Sequence, residues 1–435
     1  MRLAQEFRFY NTFPVREYRW DNGLRAFLVH NPISPVAAYL THYTVGSAAE
    51  RDDQRGLAHF FEHMMFRETA TLKDGDIDRI LAEAGGVGLN ASTSYDTTVY
   101  HVNVPAAHLD KVIALEADRM VNLRLSPDLI ERERGAVLGE LKMYQDMPSD
   151  QFWNAAMAAA FSTHPYRHPI IGTAEAVAGY GAGDFAAFYR AHYAPNRAII
   201  VIAGGFEERD VLALLDRAYG ALSPGEPRPD PAPADAPPDA ARRVELTHDK
   251  ISSEYLMLAS HSPGLEHADT PALLLLSAVL SAGRSAPLHR RLVLEGLATS
   301  ASTTLMDTDF KLVSPGLFLV EVDLQRGVRA EAAVDAVDAL LAEWEAGGVP
   351  EGELERARNQ IRLGSWSSLQ TNMSIARKLG GYVVACGDPR SGEKLLAAVG
   401  RVTTAQVGDV LQRYLAAPGR ITIAQRPAQG VPSCS

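Results

Sequence analysis

The sequence predicts an α+β protein of two homologous domains, each a mixed or antiparallel β-sheet packed with helices, joined by a Pro-rich linker. Three observations lead there. Apolar runs of strand length, LRAFLVH (24–30) and VAAYLTHYTV (36–45), precede longer segments with helical periodicity. The stretch SPGEPRPDPAPADAPPD (223–239) holds seven prolines and no periodic apolar residues, the composition of an extended surface connector. Finally, RAHYAPNRAIIVIAG (190–204) and QRYLAAPGRITIAQRP (412–427) share one pattern: a helix end, a Pro-containing turn and an apolar strand. The chain of 435 residues thus divides into an N-terminal domain (1–222), a linker (223–240) and a C-terminal domain (241–435), each large enough to bury a core.

Within the first domain, LAHFFEHMMF (57–66) sets two histidines and a glutamate in an otherwise apolar stretch. At 100° per residue, His59, Glu62 and His63 share one third of a helix circumference, and Leu57, Phe60, Phe61 and Met64 take the opposite side. Two imidazoles at i and i+4 can reach one metal ion, with the carboxylate beside them and not needed as a ligand. The pattern H-x-x-E-H is the signature of inverted-motif zinc peptidases. A catalytic zinc takes three protein donors and water, so one more ligand is required. The segment SPDLIERERGAVLGELKMYQDMP (126–148) predicts a second helix, with Ser126 as N-cap, Pro127 at its first position, and Ile130, Val137, Leu138 and Leu141 on its apolar face. Glu133 and Glu140 lie seven residues apart on it, so either could face the histidines.

Three stretches together, TVGSAAERDDQRGLAHFFEHMMFRET, GGVGLNASTSYDTTVYHV and ERERGAVLGEL, resemble the pitrilysin, insulinase and mitochondrial processing peptidase family of zinc peptidases. The resemblance covers essentially the whole chain, and the 76 residues between His63 and Glu140 match the family's spacing. It implies a Zn²⁺ cofactor held by His59, His63 and Glu140, with Glu133 supporting the site from the outer sphere. Such a ligand set keeps an open position and lowers the pKa of a bound water to about 7. Glu62, on the ligand face but outside the ligand set, is then placed to take the water's proton and pass it to the leaving amine. The resemblance also implies that the strand Leu89–Ser94 runs along the active site as an edge to which an extended peptide adds by main-chain hydrogen bonds. Asn90 and Ala91 are the contact positions named on it. His101, alone in the next strand (Thr97–Val104), is expected to be structural.

The second half departs from this chemistry. PALLLLSAVLSAG (271–283) stands in the place of the motif helix and offers neither His nor Glu. The family's second domain is expected to carry an Arg and a Tyr, seven residues apart, that contact substrate near the reacting carbonyl. Aligned on Gly-Leu-Ala, those positions are Leu292 and Thr299. The neighbouring Arg290 and Arg291 sit one or two residues away, which turns a helical side chain by 100° or 200°, so surface roles are expected for them. A chain with zinc ligands but no Arg/Tyr pair resembles the zinc-bearing subunit of two-chain family members. It implies a heterodimer in which a homologous partner supplies the pair. The expected function is that of a zinc endopeptidase subunit acting on short or unfolded polypeptides; the alternative is a non-catalytic assembly or peptide-binding subunit of the same fold.

Composition adds bounds. A net charge of −11 without a basic run speaks against nucleic acid as a partner. Two cysteines, Cys386 and Cys434, exclude a disulfide framework. MRLAQEFRFYNTFPVREYRW (1–20) has no secretory apolar core, and no window reaches the 18 apolar residues of a membrane span. A cytoplasmic location is the expectation, or a periplasmic one if a leader has been removed.

Overall fold

A computed structural model describes residues 1–428 of the chain, so Cys434 lies outside the described residues. Twelve strands form two sheets among these residues. The first holds β1 (Arg2–Phe9), β2 (Phe13–Arg19), β3 (Arg25–His30), β4 (Val36–Tyr43), β5 (Val87–Thr93), β6 (Thr98–Pro105) and β7 (Ala198–Gly204), in the order β1-β2-β3-β7-β4-β6-β5. The second holds β8 (Arg242–His248), β9 (Tyr255–His261), β10 (Ala298–Leu305), β11 (Leu317–Leu324) and β12 (Ile421–Pro427), in the order β10-β11-β9-β12-β8.

The internal repeat is explicit in this pairing. β3 and β7 are parallel, then β4, β6 and β5 follow antiparallel. β8 and β12 are parallel, then β9, β11 and β10 follow antiparallel. Five strands therefore correspond one for one, and the hairpin β1–β2 is an addition to the first sheet. β7 and β12, the two strands that carry the repeated sequence pattern, occupy equivalent central places. AIIVIAG is buried along its whole length, as a strand covered on both faces must be.

The helices that carry the site or cover the sheets include α1 (Leu57–Met64), α2 (Leu109–Val121), α3 (Pro127–Gln145), α4 (Pro148–Ala160), α5 (Thr270–Ser281) and α6 (Asn372–Cys386). The helix predicted over 126–148 ends at Gln145, and Pro148 opens α4. By contacts the chain forms two compact units that interleave in sequence. The first takes residues 1–142, 168–231 and 368–390; the second takes 143–167, 232–367 and Ser391 onward. Each sheet has two apolar faces to cover, and a segment from the other half of the sequence helps to cover one. α6 packs on β7 and β4 in the first unit, and α4 packs on β8, β9 and β12 in the second. The contiguous split at the linker therefore leaves out α6 from the first unit and α4 from the second.

The two faces of the first sheet follow from strand register. Ala91, Tyr100, Thr41 and Ile200 are cross-strand neighbours on one face, and Asn90, His101, Leu40 and Val201 on the other. The first face carries the core of α1 and α2; α6 lies against the second. Contact there is close at Gly380, where a Cβ would stand 2.2 Å from the His42 ring. His42 is buried, and neither ring nitrogen has a hydrogen-bond partner among the described residues. Burial, with Arg377 and His101 adding to it, pulls its imidazole pKa down to about 3.

In the second unit α5 is apolar around most of its circumference, and Ser277 and Ser281 on it share hydrogen bonds of 2.8 and 2.6 Å with Thr303 of β10. Leu292 is fully buried in the core, and Thr299 donates to the Asp323 carbonyl at 3.1 Å. Arg290 pairs with Glu353 and Arg291 with Glu343 at the surface, as expected of them.

Gly380→Ala should lower stability by about 1–3 kcal/mol through overpacking against His42, and His42→Ala in the same chain should recover part of that loss in urea unfolding. His42 is neutral in the fold but takes a proton once unfolded as pH drops below about 6.5, so its contribution falls with pH from there. Between pH 6.5 and 5.0, metal-free wild-type protein should lose about 1.5 kcal/mol more stability than His42→Leu; equal losses would show that His42 protonates freely in the fold.

Candidate metal centre

Helix α1 starts where only glycine fits. Gly56 has φ +89°, and a Cβ on it would lie 2.4 Å from the Ile171 carbonyl oxygen; Gly172, at φ +78°, meets Arg55 in the same way. The buried Glu50 caps the helix, accepting from the amides of Gly56 (2.9 Å) and Ala58 (2.7 Å). Burial pushes its pKa up to about 8 against the pull of those two donors. From this start, Phe60 and Phe61 pack edge-on and tilted against Phe185, Phe188 and Tyr193. The opposite side, with His59, Glu62 and His63, is thereby turned to α3 and β5.

Helix α3 is fixed in turn. Ser126 accepts from the Leu129 amide at 3.4 Å, the cap expected for it, and Arg134 donates to the carbonyls of Val177 and Tyr180. Its Glu140 carboxylate reaches both histidines: Oε2 is 3.7 Å from His59 Nε2 and 3.3 Å from His63 Nε2. Three donor atoms from His59, His63 and Glu140 lie within 4.8 Å of one another. Four ligands about 2.1 Å from a tetrahedral zinc stand about 3.4 Å apart, so this set fits the ion. Glu133, one of the two glutamates left open by helical spacing, does not converge on that point. It is buried, 3.7 Å from His63 Nδ1 on the far side of the ring, and its other oxygen forms an ion pair with Arg67 at 2.8 Å. A carboxylate behind a ligating imidazole orients the ring and raises its basicity.

Electrostatics divide the two histidines. Burial, with His63 nearby, pulls the His59 pKa down to about 4, which leaves it neutral and ready to ligate. Burial also opposes charge on His63, but Glu133, Glu140 and Glu62 outweigh it and raise the pKa. Glu62 stands outside the donor set and accepts a 2.5 Å hydrogen bond from Thr93 Oγ1 on β5. Burial raises its pKa, with Glu140 adding to the rise and Thr93 and His63 opposing.

β5 is one of the two edge strands of the first sheet, as expected of the segment beside the site. Asn90 is exposed on it; Ala91 turns its methyl into the core, and its amide donates to the Asn90 side chain at 2.9 Å. His101 is half-buried on the face away from α1, against α6. Glu50, Gly56, Gly172 and Thr93 escape a motif search, although Glu50 stands only nine residues before His59.

Residues 25–174 match the family model described as insulinase (peptidase family M16), and residues 181–361 match the peptidase M16 inactive domain. The zinc protease PqqE of Helicobacter pylori is 30% identical over 346 residues, which cover 79% of this chain and 77% of that protein. The chain belongs to the insulinase family, peptidase M16. A probable mitochondrial-processing peptidase subunit beta of Schizosaccharomyces pombe is 26% identical over 414 residues, covering 91% of this chain and 87% of that one. Among solved structures, a protease from Helicobacter pylori superposes with a TM-score of 0.88 at 26% identity, covering 98% of this chain and all of the other. Zinc is the cofactor of this insulinase-family chain. The inactive-domain match begins ahead of β7 in the first unit and runs on through α5, the helix that offers no ligand. No helix among the described residues is long and apolar enough to cross a membrane.

Glu133→Gln keeps the shape but loses the charge behind His63, and should weaken zinc binding about 10- to 100-fold in a chelator competition, with the metal-free protein still folded. Gly56→Ala should instead unfold more readily without metal, by about 2–4 kcal/mol. Unchanged zinc affinity in Glu133→Gln would leave that carboxylate with no part in the site.

Proposed function

We propose that this chain is the zinc-bearing subunit of an endopeptidase that hydrolyses short or unfolded polypeptides, with His59, His63 and Glu140 as zinc ligands and Glu62 as general base. The observation that carries the proposal is the meeting of three donors at one point with a fourth ionisable group, Glu62, held just outside them. A scaffold protein has no physical need for that fourth group.

Zinc, when bound, acidifies water and polarises the scissile carbonyl. Each residue then has a task. Glu62, steadied by Thr93, takes a proton from water and returns it to the departing amine. Its raised pKa brings it closer to neutral pH, where a group that must both accept and release a proton is most effective. Glu133 and Arg67 keep the His63 ring in its ligating orientation. The peptide lies along β5 as an added strand near Asn90 and Ala91, through main-chain groups, because the Ala91 side chain is buried.

A homologous partner is proposed to supply the Arg/Tyr pair. In its support, Leu292 is locked in a core and Arg290 and Arg291 are engaged in surface ion pairs, so none of these three residues takes the pair's place. The Schizosaccharomyces pombe relative is, by its name, one subunit of a larger peptidase. Absence of a positioned oxyanion donor typically costs about 10²–10³ in rate.

Purified chain should bind about one zinc, the single site that the three donors make. Glu62→Gln should retain that zinc yet lose peptide hydrolysis, and near-normal turnover in that variant would remove Glu62 from the mechanism. Adding the homologous partner should raise peptidase activity by about 10²–10³. Full activity of the chain alone, with no gain from a partner, would overturn the two-subunit proposal.

A further inference from the structure

On the face of the first sheet away from α1, one cation stands apart. Arg377 of α6 donates to the His101 ring, with its Nη2 2.9 Å from Nε2 and 3.1 Å from Nδ1. No carboxylate among the described residues pairs with it. Among the described residues, the titratable groups whose pKa it shifts are His101 and His42, both pulled down by burial first and by Arg377 next. His101, at about 4, is neutral at pH 7 and serves as an acceptor that positions the guanidinium without cancelling its charge. In a chain with eleven more acidic than basic groups (53 against 42), an exposed, positioned arginine without a counter-ion is a place for an external anion.

Its position relates it to the edge strand. His101 is the cross-strand neighbour of Asn90, so both point to the Arg377 face. Asn90 is three residues from Thr93, which holds Glu62, a distance of about 10 Å along an extended strand. A residue of an added strand opposite Asn90 has its side chain on that same face, about three residues from the bond facing Glu62.

We propose that Arg377, positioned by His101, binds a carboxylate of the bound peptide about three residues from the scissile bond. The group is an acidic side chain or the peptide's terminal carboxylate. The subsite rests on the peptidase function proposed above and gives that site a preference for anionic peptides.

The test uses the zinc-loaded full chain carrying Glu62→Gln, which binds without cutting, and fluorescein-labelled ten-residue peptides read by anisotropy. Each peptide carries Glu or Gln at one position, with a free or amidated C-terminus. One Glu position, or the free C-terminus, should tighten binding about five- to tenfold. Adding Arg377→Gln should collapse that ratio toward one, and adding Arg377→Glu should shift preference to peptides with Lys at the same position. Loss on Glu→Gln exchange identifies a side-chain carboxylate, and loss on amidation a terminal one. Peptides that bind without any carboxylate preference, or with one that Arg377→Gln leaves intact, would overturn the subsite while sparing the peptidase proposal. Failure of every peptide to bind would overturn both.

Discussion

One oxygen of Glu140, 3.3 and 3.7 Å from two imidazole nitrogens, is the convergence on which the rest depends. Neither helix makes it alone. α1 brings the histidines because its aromatic side must be buried, and that orientation is secured where Gly56 and Gly172 pass too closely for any side chain. α3 brings the acid because Arg134 ties it to the 177–180 segment and Glu133 meets Arg67 across the gap. The two helices are held by contacts other than those among the three donor side chains. Preorganisation of this kind is what keeps donor atoms at metal-ligand spacing rather than splayed into solvent.

The internal repeat shows what the fold needs and what the chemistry adds. Five strands of each sheet correspond in order and direction, so the architecture tolerates the loss of metal ligands without rearrangement. At the equivalent helix–strand junction the second unit has serines and a threonine in mutual hydrogen bonds, where the first has Glu62 and Thr93. Burying ionisable groups without a function is unfavourable, whereas paired hydroxyls and leucines are not. The second half therefore retains the packing and dispenses with the charge.

Much of this was legible in residue order. The repeat appears in the matching turn–strand patterns that became β7 and β12, and the metal face appears in the 3.6-residue period around His59. Ser126 and Pro127 mark the start of α3 because capping is local chemistry. The boundary at 145–148 was less visible, since a proline can begin a helix as readily as end one. Glu133 and Glu140 could not be told apart by helical phase; that took a family spacing, and in space one stands in front of His63 and the other behind it. Contacts such as Thr93 with Glu62, Glu50 with Ala58, or α6 with the first sheet join residues 8 to hundreds of positions apart, and amphipathic pattern says which side of an element is buried but not against what.

β5 joins these features into one device. At one end Thr93 holds Glu62; further along, Asn90 faces His101 and, beyond it, Arg377. The pairing of β5 with β6 is irregular between Val87 and Asn90, with Gly88 at φ +69°, and regular from Asn90 to Thr93. A slip of one residue would turn every side chain of the strand to the other face and take Thr93 from Glu62. Ala91 opposes such a slip, because its methyl is buried in the core and either neighbour, Asn90 or Ser92, would bring a polar group there. The register that keeps Thr93 on Glu62, the general base proposed above, is thus the same register that would present a peptide to the sheet edge. One buried methyl group and one hydroxyl fix both the Thr93–Glu62 contact and the register of the strand edge.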